Sequence, residues 1–104
     1  METKRIALPK LNRLHPSLES TALKLMEEAG ELSEAIGKFR GMNGERIELG
    51  RAEVIERVAR ELLDVAQTAI TMMYVLEEQH DVDLDKALAD HVDKLLRKGY
   101  LNFD

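Results

Sequence analysis

The sequence predicts an all-α protein, and three observations carry that prediction. Residues 17–39 and 51–79 each repeat apolar residues at alternating spacings of three and four, the period of a helix with one buried stripe. Residues 84–98 do the same over a shorter length. Between the segments lie a glycine-rich stretch and an acidic break, both of which interrupt helices. The chain of 104 residues fits one domain, 1–104, with residues 1–16 as an amino-terminal arm.

The arm contains both prolines, Pro9 and Pro16. Leu8, Leu11 and Leu14 make a short apolar ridge, expected as either a brief helix or an arm packed on the body. His15-Pro16-Ser17 reads as a helix start, because proline is tolerated in a first turn and Ser17 can cap. His15 reads as a boundary residue rather than a ligand.

The first helix is expected over about Ser17–Phe39. Its stripe is Leu18, Ala22, Leu25, Ala29, Leu32, Ile36 and Phe39. With Leu18 at zero and 100° per residue, the stripe spans about −60° to +40°. Glu28 falls at about −80°, the stripe's edge, and Glu31 at about −140° on the same flank. Glu27 and Glu34 point toward solvent. Gly30 costs about 1 kcal/mol of helix propensity and marks either a close approach or a tolerated blemish.

Residues 37–50 hold four glycines and read as a loop, with room for one short turn near Glu45–Leu49. They lack the GKS or GKT ending of a phosphate-binding P-loop. Arg40 and Arg46 reach an anionic ligand only if this loop folds over a site; otherwise they are exposed.

The second helix is expected over about Arg51–Gln79, with the stripe Val54, Val58, Leu62, Val65, Ala69, Met72 and Leu76, widened by Ile55 and Met73. With Val58 at zero, Glu61 lies at about −60° and Asp64 at about −120°, nearly the offset of the first acidic pair. The loop favours antiparallel packing; whether the acidic flanks converge depends on helix rotation. Thr68 and Thr71 continue the flank and are expected to bond locally. His80-Asp81-Val82-Asp83 ends the helix, and Asp83 caps a third helix over about Leu84–Lys98. Leu84, Leu88, Val92, Leu95 and Leu96 form its apolar face. Lys94, Arg97 and Lys98 suit the dipole at its end, and Gly99 stops it. Tyr100, Leu101 and Phe103 form an apolar tail expected to pack on the body or on a partner.

Net charge is −5, from 20 acids and 15 bases, which argues against a general nucleic-acid binder. Two Phe, two Tyr and no Trp supply few stacking platforms for single strands. Without cysteine there is no disulfide and no thiolate zinc site, in keeping with a cytoplasmic protein. No signal-peptide pattern and no membrane-spanning apolar run is present, so no membrane association is expected. A helical core from so short a chain is most easily completed by a second copy.

The chemistry lies in the acids. Glu28 with Glu31, and Glu61 with Asp64, place two carboxylates on adjacent turns of one helix face. Two such faces make a four-carboxylate nest, which repels itself unless protonated or neutralised. A hard divalent ion resolves that repulsion, and Mg²⁺ or Mn²⁺ suits oxygen-only donors. The plainer reading is two solvated faces with ion pairs Lys24–Glu28 and Arg57–Glu61. A di-iron bundle is disfavoured, since none of His15, His80 and His91 completes Glu-x-x-His. A zincin lacks its HExxH.

At these residues the chain resembles the MazG-like all-alpha NTP pyrophosphohydrolase superfamily, which includes helical dUTPases and dCTP pyrophosphatases. Glu28-Ala29-Gly30-Glu31 matches the family's ExxE, and Glu61-Leu62-Leu63-Asp64 its ExxD. The likeness runs from about residue 13 to 100, taking in His15-Pro16 and VDLDKAL. The resemblance implies a MazG-like helical bundle completed as a homodimer or homotetramer. It implies Mg²⁺ held by Glu28, Glu31, Glu61 and Asp64, and a nucleoside triphosphate cleaved between its α and β phosphates. One of these carboxylates, or Glu27, would orient the water. Lys24, His91, Lys94, Arg97 and Lys98 are the candidate substrate contacts. One departure stands out: where many relatives carry Lys and then Asn four later, this chain has His91 and Leu95, and the Trp of some relatives' amino-terminal segment is missing. The competing readings are a noncatalytic nucleotide-binding or regulatory protein on the same fold, and a helical dimerisation module.

Overall fold

The computed structural model describes residues 1–40 and 50–103, with Phe39 and Arg40 described by backbone alone. Three helices follow in order: α1 (Leu18–Arg40), α2 (Arg51–His80) and α3 (Leu84–Arg97). No strand occurs among the described residues. The fold is therefore all-α, and each helix end falls within one residue of its sequence expectation. The stripe position of Phe39, the side chain of Arg40, Arg46 and the turn near Glu45–Leu49 lie outside the described residues.

The helix ends have local causes. At the start of α1 the Ser20 N–H donates to Ser17 Oγ at 3.1 Å, and the Ser17 N–H donates to Ser20 Oγ at 2.8 Å. This reciprocal pair satisfies two otherwise orphaned donors. α2 ends at Asp81, which adopts φ 54, and the Val82 N–H reaches the Leu76 carbonyl at 3.1 Å. Aspartate tolerates this left-handed geometry better than most residues. Asp83 caps α3 by accepting from the Lys86 N–H at 3.0 Å. Gly99 closes it at φ 78, with Gly99 N–H to Leu96 at 3.1 Å and Tyr100 N–H to Leu95 at 3.0 Å. Those two bonds form a Schellman motif.

Of the two options for residues 1–16, the structure takes the packed arm, and no helix forms there. Gln67 Nε2 donates to the Pro9 carbonyl at 2.8 Å, and Gln79 Nε2 to the Pro16 carbonyl at 2.9 Å. Lys10 pairs with Glu78 and lies 5.1 Å from the Tyr74 ring centroid. The arm thus runs along α2.

α1 and α2 make the one extensive helix–helix contact among the described residues. They run antiparallel: Pro16, before α1, meets Gln79 late in α2, while Glu28 meets Glu61 nearer its start. Their contact follows a seven-residue repeat. Thr21, Glu28 and Ala35 are buried on α1; Val54, Thr68 and Val75 are buried on α2, with Glu61 half-buried in the same row. The α1 seam therefore centres at about −80° on the wheel defined above, some 70° from the middle of the expected stripe. Glu28 stands in the middle of the seam, not at its edge. Ala29 and Ile36, expected in the stripe, are exposed.

In an antiparallel pair, equal rotations from the seam lead to the same side of the hairpin. One side carries Lys24, Glu31, Asp64 and Thr71. The other carries Ile36, Ile55, Leu62 and Met73, all exposed, and Met26 continues it around α1. α3 buries no residue, and Leu88 is 61% exposed. In the tail Leu101 is half-buried, but Tyr100 and Phe103 are exposed, so the expected packing of the tail on this body does not occur for them. The radius of gyration is 17.0 Å, against about 13 Å for a compact chain of this length.

Candidate metal centre

The seam holds four polar side chains, and they fall into two kinds. Thr21 donates to the Ser17 and Leu18 carbonyls at 2.9 and 3.0 Å, and Thr68 donates to the Asp64 carbonyl at 3.0 Å. Each threonine is satisfied by its own helix. The two glutamates are not: Glu28 Oε2 and Glu61 Oε2 are buried without a hydrogen-bond partner. A buried unpaired carboxylate oxygen is costly, so a native fold that keeps two of them side by side needs something to face them.

Glu31 completes the group. One carboxylate oxygen from each of Glu28, Glu31 and Glu61 lies within 4.8 Å of the others. The ExxE spacing sets Glu31 one turn beyond Glu28, and antiparallel packing brings Glu61 against both. The Glu31 carboxyl is pushed above its ordinary range, first by the Glu28 charge, then by loss of solvent, then by the Glu61 and Glu27 charges and a hydrogen bond to Glu61. Three acids clustered in this way are a set that could hold a divalent cation, and their oxygen-only donors are of the kind that suits Mg²⁺ or Mn²⁺.

The remaining sequence candidates are placed as follows. Asp64 is exposed and stands outside the close group of three, its side chain one methylene shorter than glutamate. It nevertheless walls the same open cleft as Glu28 and Lys24, a space of about 430 Å³. Glu27 is exposed, and Lys24 Nζ lies 3.5 Å from it and 3.1 Å from Glu28 Oε1. His91, Lys94 and Arg97 on α3 and Lys98 at its C-cap are exposed, and none of them lines this cleft. Thr71 bonds locally as expected, donating to the Gln67 carbonyl at 3.0 Å.

Sequence reasoning missed the arm's part in the site. Leu11, Leu14, His15 and Pro16 line the cleft together with Thr68 and Gln67 of α2. Gln67 and Gln79 provide the side-chain donors for the two proline carbonyls, but they stand roughly 120° apart on the helix wheel, so no shared flank announced them in the sequence. His15 accordingly borders the cleft as well as the helix boundary.

These features define a class: an all-helical protein with a carboxylate cluster enclosed between two antiparallel helices and opening to a cleft. The profile of the MazG nucleotide pyrophosphohydrolase domain matches residues 16–99, and the chain belongs to that family. Comparison with curated proteins and with solved structures gave no match. The family points in general to pyrophosphohydrolysis of nucleoside triphosphates with a metal ion. No helix among the described residues is long and apolar enough to cross a membrane.

Proposed function

We propose that this protein is a Mg²⁺-dependent pyrophosphohydrolase that cleaves (d)NTP between the α and β phosphates, releasing (d)NMP and pyrophosphate. The observation that carries this reading is that Glu28 and Glu61 each keep a buried oxygen without a partner in carboxylates that cluster with that of Glu31. Glu28, Glu31 and Glu61 hold the metal, and Asp64 joins them from the cleft wall. Bound Mg²⁺ supplies charge neutralisation at the phosphates and a water of lowered pKa. The half-enclosed cleft takes the nucleoside among Leu11, Leu14, Pro16, Thr68 and Gln67, which line it. Its volume suits a ligand of that size. A carboxylate of the cluster, or Glu27, orients the attacking water. The working form is a homodimer or homotetramer in the cytoplasm, in which the α3 bases His91, Lys94, Arg97 and Lys98 serve phosphates at a neighbouring chain's site.

The test is a panel of all NTPs and dNTPs with Mg²⁺, scored for pyrophosphate against phosphate. Pyrophosphate plus a monophosphate is expected. Neither turnover nor metal-dependent nucleotide binding across the panel would falsify the proposal. Metal-dependent binding without turnover points instead to a noncatalytic nucleotide sensor, the reading that Leu95 at the family's amide position favours. Glu31→Gln and Asp64→Asn should each abolish turnover while leaving the helices folded, as judged by circular dichroism; wild-type rates would remove that residue from the mechanism.

A further inference from the structure

Glu28 and Glu61 share a detail that reaches beyond the cluster itself. In each, one oxygen meets a cation one turn back on the same helix. Lys24 Nζ lies 3.1 Å from Glu28 Oε1, and Arg57 Nε lies 3.8 Å from Glu61 Oε1. In each, the other oxygen is the buried one without a partner. Other i,i+4 pairs in the chain differ. Lys38–Glu34 and Lys86–Asp90 join acids whose side chains are 56% and 64% exposed, whereas those of Glu28 and Glu61 are only 9% and 16% exposed. Both seam pairs also run cation first, the weaker order for supporting an isolated helix. Their value is not in helix propensity.

A metal-ligating carboxylate is normally held by a further hydrogen bond or charge that fixes its orientation. We propose that Lys24 and Arg57 are positioning residues for the metal site, each pinning one oxygen of a seam glutamate so that the other stays turned toward the ion. This rests on the metal reading given above. It assigns Lys24 to Glu28 rather than to the substrate, and it gives Arg57 a role. The two anchors sit on different helices and act on different glutamates, so one hairpin carries the same device twice.

The proposal predicts a sign opposite to simple electrostatics. Removing a positive charge beside a cation site strengthens cation binding if charge alone matters. Loss of an orienting partner weakens it, by about 10- to 100-fold in characterised metal sites. The experiment titrates the full chain with Mn²⁺ alone, without nucleotide, reading bound metal by electron paramagnetic resonance. Lys24→Met and Arg57→Met should each weaken Mn²⁺ binding by about tenfold or more. Lys24→Arg and Arg57→Lys should recover most of it, and Lys86→Met, which breaks an exposed pair, should change nothing. Circular dichroism melts confirm that each variant is folded. Unchanged or tighter binding in the Met variants overturns the proposal, as does a loss that the conservative variants do not recover. A wild-type chain that binds no Mn²⁺ overturns the metal reading itself, and this distinguishes the two failures.

Discussion

Thr68 and Glu61 occupy equivalent places in the α2 seam, seven residues apart, and they meet burial in different ways. Threonine turns its hydroxyl back to a carbonyl of its own helix; an ionised glutamate has no proton to donate and no such escape. The seam thus stores an unfavourable arrangement in the metal-free chain, and this has consequences for pH. Glu31 titrates above its ordinary range, so near that range the folded state binds more protons than the unfolded one. Metal-free stability should therefore rise as pH falls through the carboxylate range and be lowest above the raised pKa. Thermal midpoints measured with chelator at near-neutral and mildly acidic pH check this. Glu31→Gln removes the repulsion and should raise the metal-free midpoint at neutral pH while flattening this dependence. Mg²⁺ should raise the wild-type midpoint and not that of the variant.

The helices themselves were legible in the sequence because their signals are local. Ser17, Asp83 and Gly99 act within a few residues of their own position, and each does what its type dictates. Asp83→Ala should cost about 1 kcal/mol, since it leaves the Lys86 N–H unpaired. Gly99→Ala should cost a similar ~1 kcal/mol at its positive φ. A loss of that size lowers the melting midpoint of a domain this small by about 4–8 °C. The rotation of α1 was not legible. An apolar stripe shows which face avoids water, not which part of it meets the neighbouring helix. Here Ala29 and Ile36 belong to the stripe but look outward, while Thr21 and Glu28 look inward. The ExxE and ExxD spacings put Glu31 and Asp64 on one side of the hairpin and Glu28 and Glu61 in its seam. Which three oxygens come together depended on a rotation that only the packed pair reveals.

At the scale of the molecule, the hairpin has a polar side, walled by residues 11–16 of the arm, and an apolar side on which Ile36, Ile55 and Leu62 stay exposed. Ala35, Val54 and Val75 are the buried apolar side chains among the described residues, too small a set to stabilise a chain of this length alone. Ile55, Leu62 and Met73 line an exposed surface that a second copy would cover. Sedimentation equilibrium should return at least twice the chain mass. Leu62→Lys should shift the protein toward monomer and lower its thermal midpoint, with the loss deepening on dilution. The arm gives the site a different property. It is tied to α2 chiefly through the main-chain carbonyls of Pro9 and Pro16, which Gln67 and Gln79 grasp whatever side chains stand between them. Leu11, Leu14 and His15 can therefore vary without loosening the strap. Under the proposed function, substrate preference would drift in this half of the cleft while the acid cluster in the helices stays as it is, making the hairpin a fixed engine with an exchangeable rim.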